Sequence, residues 1–237
     1  MKTTIRYLLL FIGCLCCSCN SQPNNFDTEM AIVFDETDSL TTQYPTAEAI
    51  TAPLELRDDP WQGIRIVLTY ISDKDVNNST VVSLPSENAW TGNSAIRRAQ
   101  VHAFTAQLQR ALTAMKPKGT CAHSIVFRTI AAQANRLTQS QVSHKLLLVY
   151  SDLNENSDVT FYNKHVLDTL RTRPKIIEER LNRSAPLTAL NGVGVWFLYT
   201  PSTYTANNTY MTIANFYKHI FEQHGATIHI SNKFQIL

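Results

Sequence analysis

Apolar residues fall into two rhythms along this chain: short continuous runs, and longer stretches in which they recur every three or four positions. The clearest run is Leu146-Leu-Leu-Val-Tyr150, which breaks abruptly into Ser151, Asp152, Asn154, Glu155, Asn156 and Ser157. That pattern predicts a strand buried on both faces and ending in a polar loop. Ile64 to Ile71 is a second such run, ending at Ser72-Asp73; Val193 to Thr200 and Ala226 to Ser231 are a third and a fourth. Thr80 to Leu84 is shorter and is followed by Pro85, which suits an edge strand.

Helical spacing joins Val101, Phe104, Leu108, Ala111, Leu112 and Met115 over Ser94 to Met115, with Asn93 or Ser94 as N-cap and Arg97, Arg98, Gln107 and Gln109 facing water. A second helix is expected from Ser124, burying Phe127, Ile130, Ala131, Ala134 and Leu137. A third segment runs from about Asp158 to Leu170, breaks at Pro174 and resumes through Leu181. The last helix spans Thr209 to His224, with Ile213, Phe216, Ile220 and Phe221 inward and Gly225 as its C-cap. Strands alternating with helices predict an α/β fold over residues 60–237: a doubly wound, mostly parallel sheet with helices on both faces. Ligands in such sheets sit in the crevice outside the carboxyl ends of the strands. The expected binding crevice is therefore Ser72, Ser151, Asn154 and Glu155. Asp152 either joins it or simply caps the segment that follows.

The start of the chain is different in kind. Lys2 and Arg6 precede a nine-residue, largely apolar stretch, Tyr7 to Leu15, followed by Cys16-Cys17-Ser18-Cys19. A charged start, a short apolar middle and small residues at the end predict a signal peptide over residues 1–18. The stretch is too short to cross a bilayer core, which takes roughly 20 residues of helix. Ser18-Cys19 resembles the processing box of bacterial lipoproteins, with Gly13-Cys14 as a second candidate site. The resemblance implies an exported chain, lipidated at Cys19 and anchored to the cell envelope membrane. Residues 19–59, rich in Asn, Asp, Thr, Ser and Pro, are expected to form a flexible tether, with Ala31 to Phe34 docking on the domain. After processing, with Cys19 lipidated, only Cys121 remains as a free thiol, so no intrachain disulfide is expected.

A net charge of +2 spread evenly along 237 residues excludes a basic nucleic-acid-binding face. No Gly-x-Ser-x-Gly elbow is present. The seven histidines are scattered, without a His-x-x-x-His pair, and Cys121 beside His123 is the only Cys/His neighbourhood.

The Ile64–Asp73 strand, Ser124-Ile-Val-Phe-Arg-Thr-Ile130 and Leu147-Leu-Val-Tyr-Ser-Asp-Leu-Asn-Glu-Asn-Ser157 together resemble a divergent von Willebrand factor A-type domain. Members of that family hold a divalent cation on an Asp-x-Ser-x-Ser strand end, a loop threonine and a second strand-end aspartate, and bind a partner protein through it. The resemblance places Asp73, Asp75 and Asn77 on the first motif and Asp152 on the second, with Thr120 and Thr129 as threonine candidates, and Mg²⁺ or Ca²⁺ as the cation. Carboxylates meeting there would repel by up to about 4 kcal/mol per close pair at an effective dielectric of 20, so either a hard cation neutralises them or they form a solvated turn. The implied function is non-catalytic binding of an envelope or surface protein. Asp73-Lys-Asp75-Val76 also resembles the nucleophile motif of haloacid-dehalogenase-type phosphohydrolases, which keeps an enzyme as the alternative. A scaffold subunit making contact through the Tyr204–Tyr210 loop is a third reading.

Overall fold

The computed structural model describes residues 25–35, 44–72, 78–115 and 123–236. Residues 1–18, Cys19, Asp73, Asp75, Asn77, Thr120 and Cys121 lie outside the described residues.

The centre of the fold is a strand that the hydrophobic pattern assigns to the tether. β1, Thr28–Asp35, is buried along its whole length. It pairs in parallel with β2 (Ile64–Ile71) on one side and β4 (His144–Tyr150) on the other, with Ala31 opposite both Val67 and Leu147. The expected flexible tether over 19–59 is therefore corrected. Residues 28–35 belong to the sheet, and 44–59 contribute a short helix α1 (Ala47–Thr51) and a 3-10 turn (Ala52–Leu54) that pack on it. Burial of Glu29 within β1 is made possible by its partners: the carboxylate is paired with Arg136 and accepts from Ser140 Oγ at 2.7 Å.

β3 (Thr80–Leu84) is antiparallel and lies at the edge, as its Pro85 stop predicts. β5 (Val193–Leu198) and β6 (Thr227–Ser231) extend the other side, giving the order β3-β2-β1-β4-β5-β6. Only β3 runs against the rest, so the expected doubly wound, mostly parallel α/β sheet is present.

Two cores sandwich it. Met30, Ile32, Phe34, Leu68 and Leu148 meet α1 and α2 (Ser94–Ala114) on one face. Ala31, Val33, Leu147, Val149 and Phe197 meet α3 (Val126–Thr138), α4 (Lys164–Thr172), α5 (Pro174–Ser184) and α6 (Tyr204–Gln223) on the other. Alternate residues of β1 thus feed opposite cores, as the two-residue strand period requires. Asn93 caps α2, accepting from Ala95 and Ile96 N–H, and Gly225 ends the α6 turn at φ 92°.

Three helix expectations change. α3 begins at Val126, because Ser124 is bridged to Asn156 instead. α6 begins at Tyr204, so the segment expected as the Tyr204–Tyr210 loop is its first two turns, capped by Thr203. Arg97, expected in water, is buried: its guanidinium donates to the carbonyls of Pro60 and Gln62 and to Gln100 Oε1, and it pairs with Glu87 at 3.5 Å. Among the described residues no helix is long and apolar enough to cross a membrane.

Candidate functional site

In the order 3-2-1-4-5-6 the winding reverses between β1 and β4, and the carboxyl ends of those two strands border the crevice where doubly wound folds place ligands. β1 ends there in Asp35. Register pairs Phe34 with Tyr150, so the next residues, Asp35 and Ser151, are cross-strand neighbours on the α3 side. Both are buried, and Ser151 Oγ donates to Asp35 Oδ2 at 2.6 Å. The same hydroxyl accepts from Leu153 N–H at 2.9 Å.

Leu153 is fully buried with φ 63°, a left-handed conformation that a branched side chain adopts at a cost of about 1–3 kcal/mol. Its consequence is a sharp turn. In this turn Asp152 Oδ1 accepts from Asn154 N–H at 2.9 Å and Oδ2 from the Asn154 amide. Asp152 thus closes a local Asx turn, as the capping alternative anticipates. Burial pushes its pKa up, against the two bonds from Asn154.

Glu155, expected in the crevice, is turned inward. It is 1% exposed and accepts from Phe127 N–H at 2.7 Å and, more weakly, from the Tyr217 hydroxyl at 3.4 Å. Ile125, the N-cap of α3, offers no side-chain acceptor, so Glu155 from a different loop supplies the cap. Burial raises its pKa from 4.5 to about 7, although the bonds from Phe127, Ser157, Tyr217 and Val126 oppose the rise.

Ser72 ends β2 and is buried, its carbonyl accepting from Ile125 N–H at 3.1 Å. β2 and β4 are separated by β1. Strand adjacency therefore brings Asp35, not the Asp73 strand, beside Ser151 and Asp152. The crevice as found gathers Asp35, Ser151, Asp152 and Asn154.

Two hydroxyls on bordering elements complete it. Ser124 Oγ, in the loop before α3, and Tyr210 OH, on α6, are buried without a hydrogen-bond partner among the described residues. Tyr210 packs its ring 4.9 Å from Tyr199; burial, then Tyr199, then the charge of Asp152 hold its hydroxyl above the usual range. The groups at this end of the sheet, the Asp35 and Asp152 carboxylates and the hydroxyls of Ser151, Ser124 and Tyr210, are hard oxygens, the kind of donor that Mg²⁺ or Ca²⁺ takes and a thiolate-seeking metal does not. Among the described residues no three His, Cys, Asp or Glu side chains cluster closely enough to hold a metal by themselves.

Asp35 is the residue that sequence reasoning missed. The signal was present: the apolar run Ala31 to Phe34 is followed by Asp35-Glu-Thr37-Asp-Ser39, oxygen side chains at alternate positions. Thr37 and Ser39 lie outside the described residues.

No family model matches the chain, and no curated protein matches it in sequence. Several solved structures resemble it in part. A D319A mutant of the PilB minor pilin from Streptococcus sanguinis superposes with a TM-score of 0.42 at 9% identity over 90% of this chain, which spans 58% of the pilin. An aerotolerance-related membrane protein from Bacteroides fragilis gives 0.33 at 11% identity, over 86% of this chain and 92% of that one. The pilus adhesin SpaC from Lactobacillus rhamnosus GG gives 0.36 at 12% identity, over 90% of this chain and 25% of the adhesin. Superpositions this shallow carry no functional argument.

Proposed function

We propose that the chain is a non-catalytic binding module of the bacterial envelope, exported, lipidated at Cys19, and engaging a protein partner through the crevice at the carboxyl ends of β1 and β4. The observation that carries this reading is the buried Asp35–Ser151 pair at the reversal of the sheet, beside a strained turn at Leu153. Strain held by surrounding structure is a mark of functional loops. The polarity of the sheet adds to it: the amino end of β1 follows the anchor, so the crevice faces away from the membrane, where a partner can reach it. Asp35, Ser151 and Ser124 would hold a Mg²⁺ or Ca²⁺, with Thr37 and Ser39 following at alternate positions. Such an ion neutralises Asp35 and keeps coordination positions for water or a partner oxygen.

The phosphohydrolase alternative requires the Asp73 strand beside Ser151. With β1 between them it loses that geometry, and β5 runs from Leu198 into Tyr199-Thr-Pro-Ser202 without a carboxylate.

A photo-crosslinking residue tests the reading in the native envelope. Placed at Asn154, half-exposed on the crevice rim, it should capture a discrete protein; placed at Ile176 on the exposed side of α5, it should not. Capture from Ile176 and none from Asn154 would move the interface off the crevice.

A further inference from the structure

We propose that the turn carrying Trp90 docks on the lipid headgroup boundary of the membrane that anchors the chain. The inference rests on the lipid anchor at Cys19 and concerns the end of the domain opposite the crevice. Trp90 is 96% exposed, whereas Trp61 is partly covered and Trp196 is buried. An indole so exposed is at odds with a turn this well ordered. Asn88 Oδ1 accepts from Trp90 N–H at 2.8 Å, Asn88 O accepts from Gly92 N–H at 2.8 Å, and Trp61 O accepts from Glu87 N–H at 3.0 Å. The backbone holds the side chain out.

The position of this turn decides what it meets. β3 runs against the sheet, so the loop after it lies at the amino ends of β1 and β2, where the chain enters the domain. Ser86 donates both N–H and Oγ to Asn25 O, at 2.7 and 3.1 Å. Gly63 allows this approach: a Cβ there would stand 2.4 Å from Asn25 O and 2.5 Å from Ser86 N. Asn25 and the Trp90 turn are thus parts of one rigid knot. Cys19 is six residues before Asn25, a reach of at most about 21 Å even fully extended. A lipid on Cys19 therefore holds this end of the domain near the headgroups.

The chemistry suits that boundary. Tryptophan favours the membrane interface because its ring is apolar and its N–H is polar. Ile96, 59% exposed on the first turn of α2, adds apolar surface close by. Exposed Arg65 and Arg98 are offset by exposed Asp58 and Asp59, so the contact is apolar and does not require anionic lipid.

Lipidated full chain in phosphatidylcholine vesicles with brominated acyl chains provides the test. In the W61F/W196F variant, Trp90 emission should shift to the blue and fall severalfold; in W61F/W90F, Trp196 emission should not change. If Trp61 proves necessary for folding, W90A in the otherwise unaltered chain should abolish the quenchable fraction. The C19S variant should fail to float with the vesicles. A wild-type chain that floats while Trp90 stays unquenched overturns the inference and leaves the anchor standing. Blue-shifted but unquenched Trp90 does the same, and assigns the turn to a second copy or a protein partner. A wild-type chain that does not float overturns the anchor and the inference together.

Discussion

Arg97→Ala should lower folding stability by about 3 kcal/mol, from the loss of bonds to two carbonyls and the hole left by a buried side chain. The guanidinium is only 1% exposed and donates to Pro60 O and Gln62 O, tying the segment before β2 to the first turn of α2. Its ion pair with Glu87 is the smaller part, because the Glu87 side chain is 34% exposed and returns to water when Arg97 is removed. Against a total of roughly 5–15 kcal/mol for a typical domain, the change is large. Arg97→Lys should recover only part of it, since an ammonium on a flexible stem does not reproduce the fork that spans two carbonyls. Denaturant unfolding reads the effect as a lower midpoint at unchanged slope. A midpoint within error of wild type would mean that the carbonyls find other donors.

Stability should fall as pH rises from 5.5 to 8, with Glu155 as the principal cause. Its pKa is raised by burial from 4.5 to about 7, so the native state holds this proton more tightly than the unfolded chain. The contribution is complete below 4.5 and is lost as pH climbs through 7, a difference of about 3 kcal/mol. Asp152, also raised by burial, acts in the same direction. Glu29 acts oppositely. Burial pushes its carboxyl up, but Ser140 and Arg136 outweigh this and hold it below the ordinary 4.5, so its contribution is lost only in acid. Together they place maximum stability in the mildly acidic range. Glu155→Gln keeps an acceptor for Phe127 N–H while removing the titration, and should flatten the loss above pH 6. Equal stability of the wild type at pH 5.5 and 8 would contradict this account of the buried carboxyl.

Five of the six strands were legible because their apolar runs were long or β-branched, and their ends carried turn residues. β1 was not, for a physical reason: its apolar run is short, and a buried acid, Glu29, precedes it. That acid is tolerated only because Arg136 and Ser140, more than a hundred residues away, satisfy it. Without β1 in the sheet, the strand-end acid beside Ser151 reads as Asp73 and not as Asp35. The burial of Arg97 is hidden from the sequence for the same kind of reason. Helical periodicity places it off the apolar stripe, and only the packing of residues 55–62 over that part of α2 buries it. Glu155 reads as one more polar loop residue until the uncapped start of α3 is set against it. In each case the deciding partner is distant in sequence.

The central claim, that the functional site is built on Asp35 at the reversal of the sheet, is tested most directly by thermal unfolding of the full chain with and without millimolar Mg²⁺, Ca²⁺ or Mn²⁺. A cation bound only by the native state, at a hundredfold excess over its dissociation constant, stabilises by about 2.7 kcal/mol. Wild type and Asp73→Ala should both show the upward shift. Asp35→Asn, which still accepts from Ser151, should keep its metal-free stability and lose the shift. A wild type that responds to none of the three ions, or a shift that survives in Asp35→Asn and vanishes in Asp73→Ala, would contradict the account.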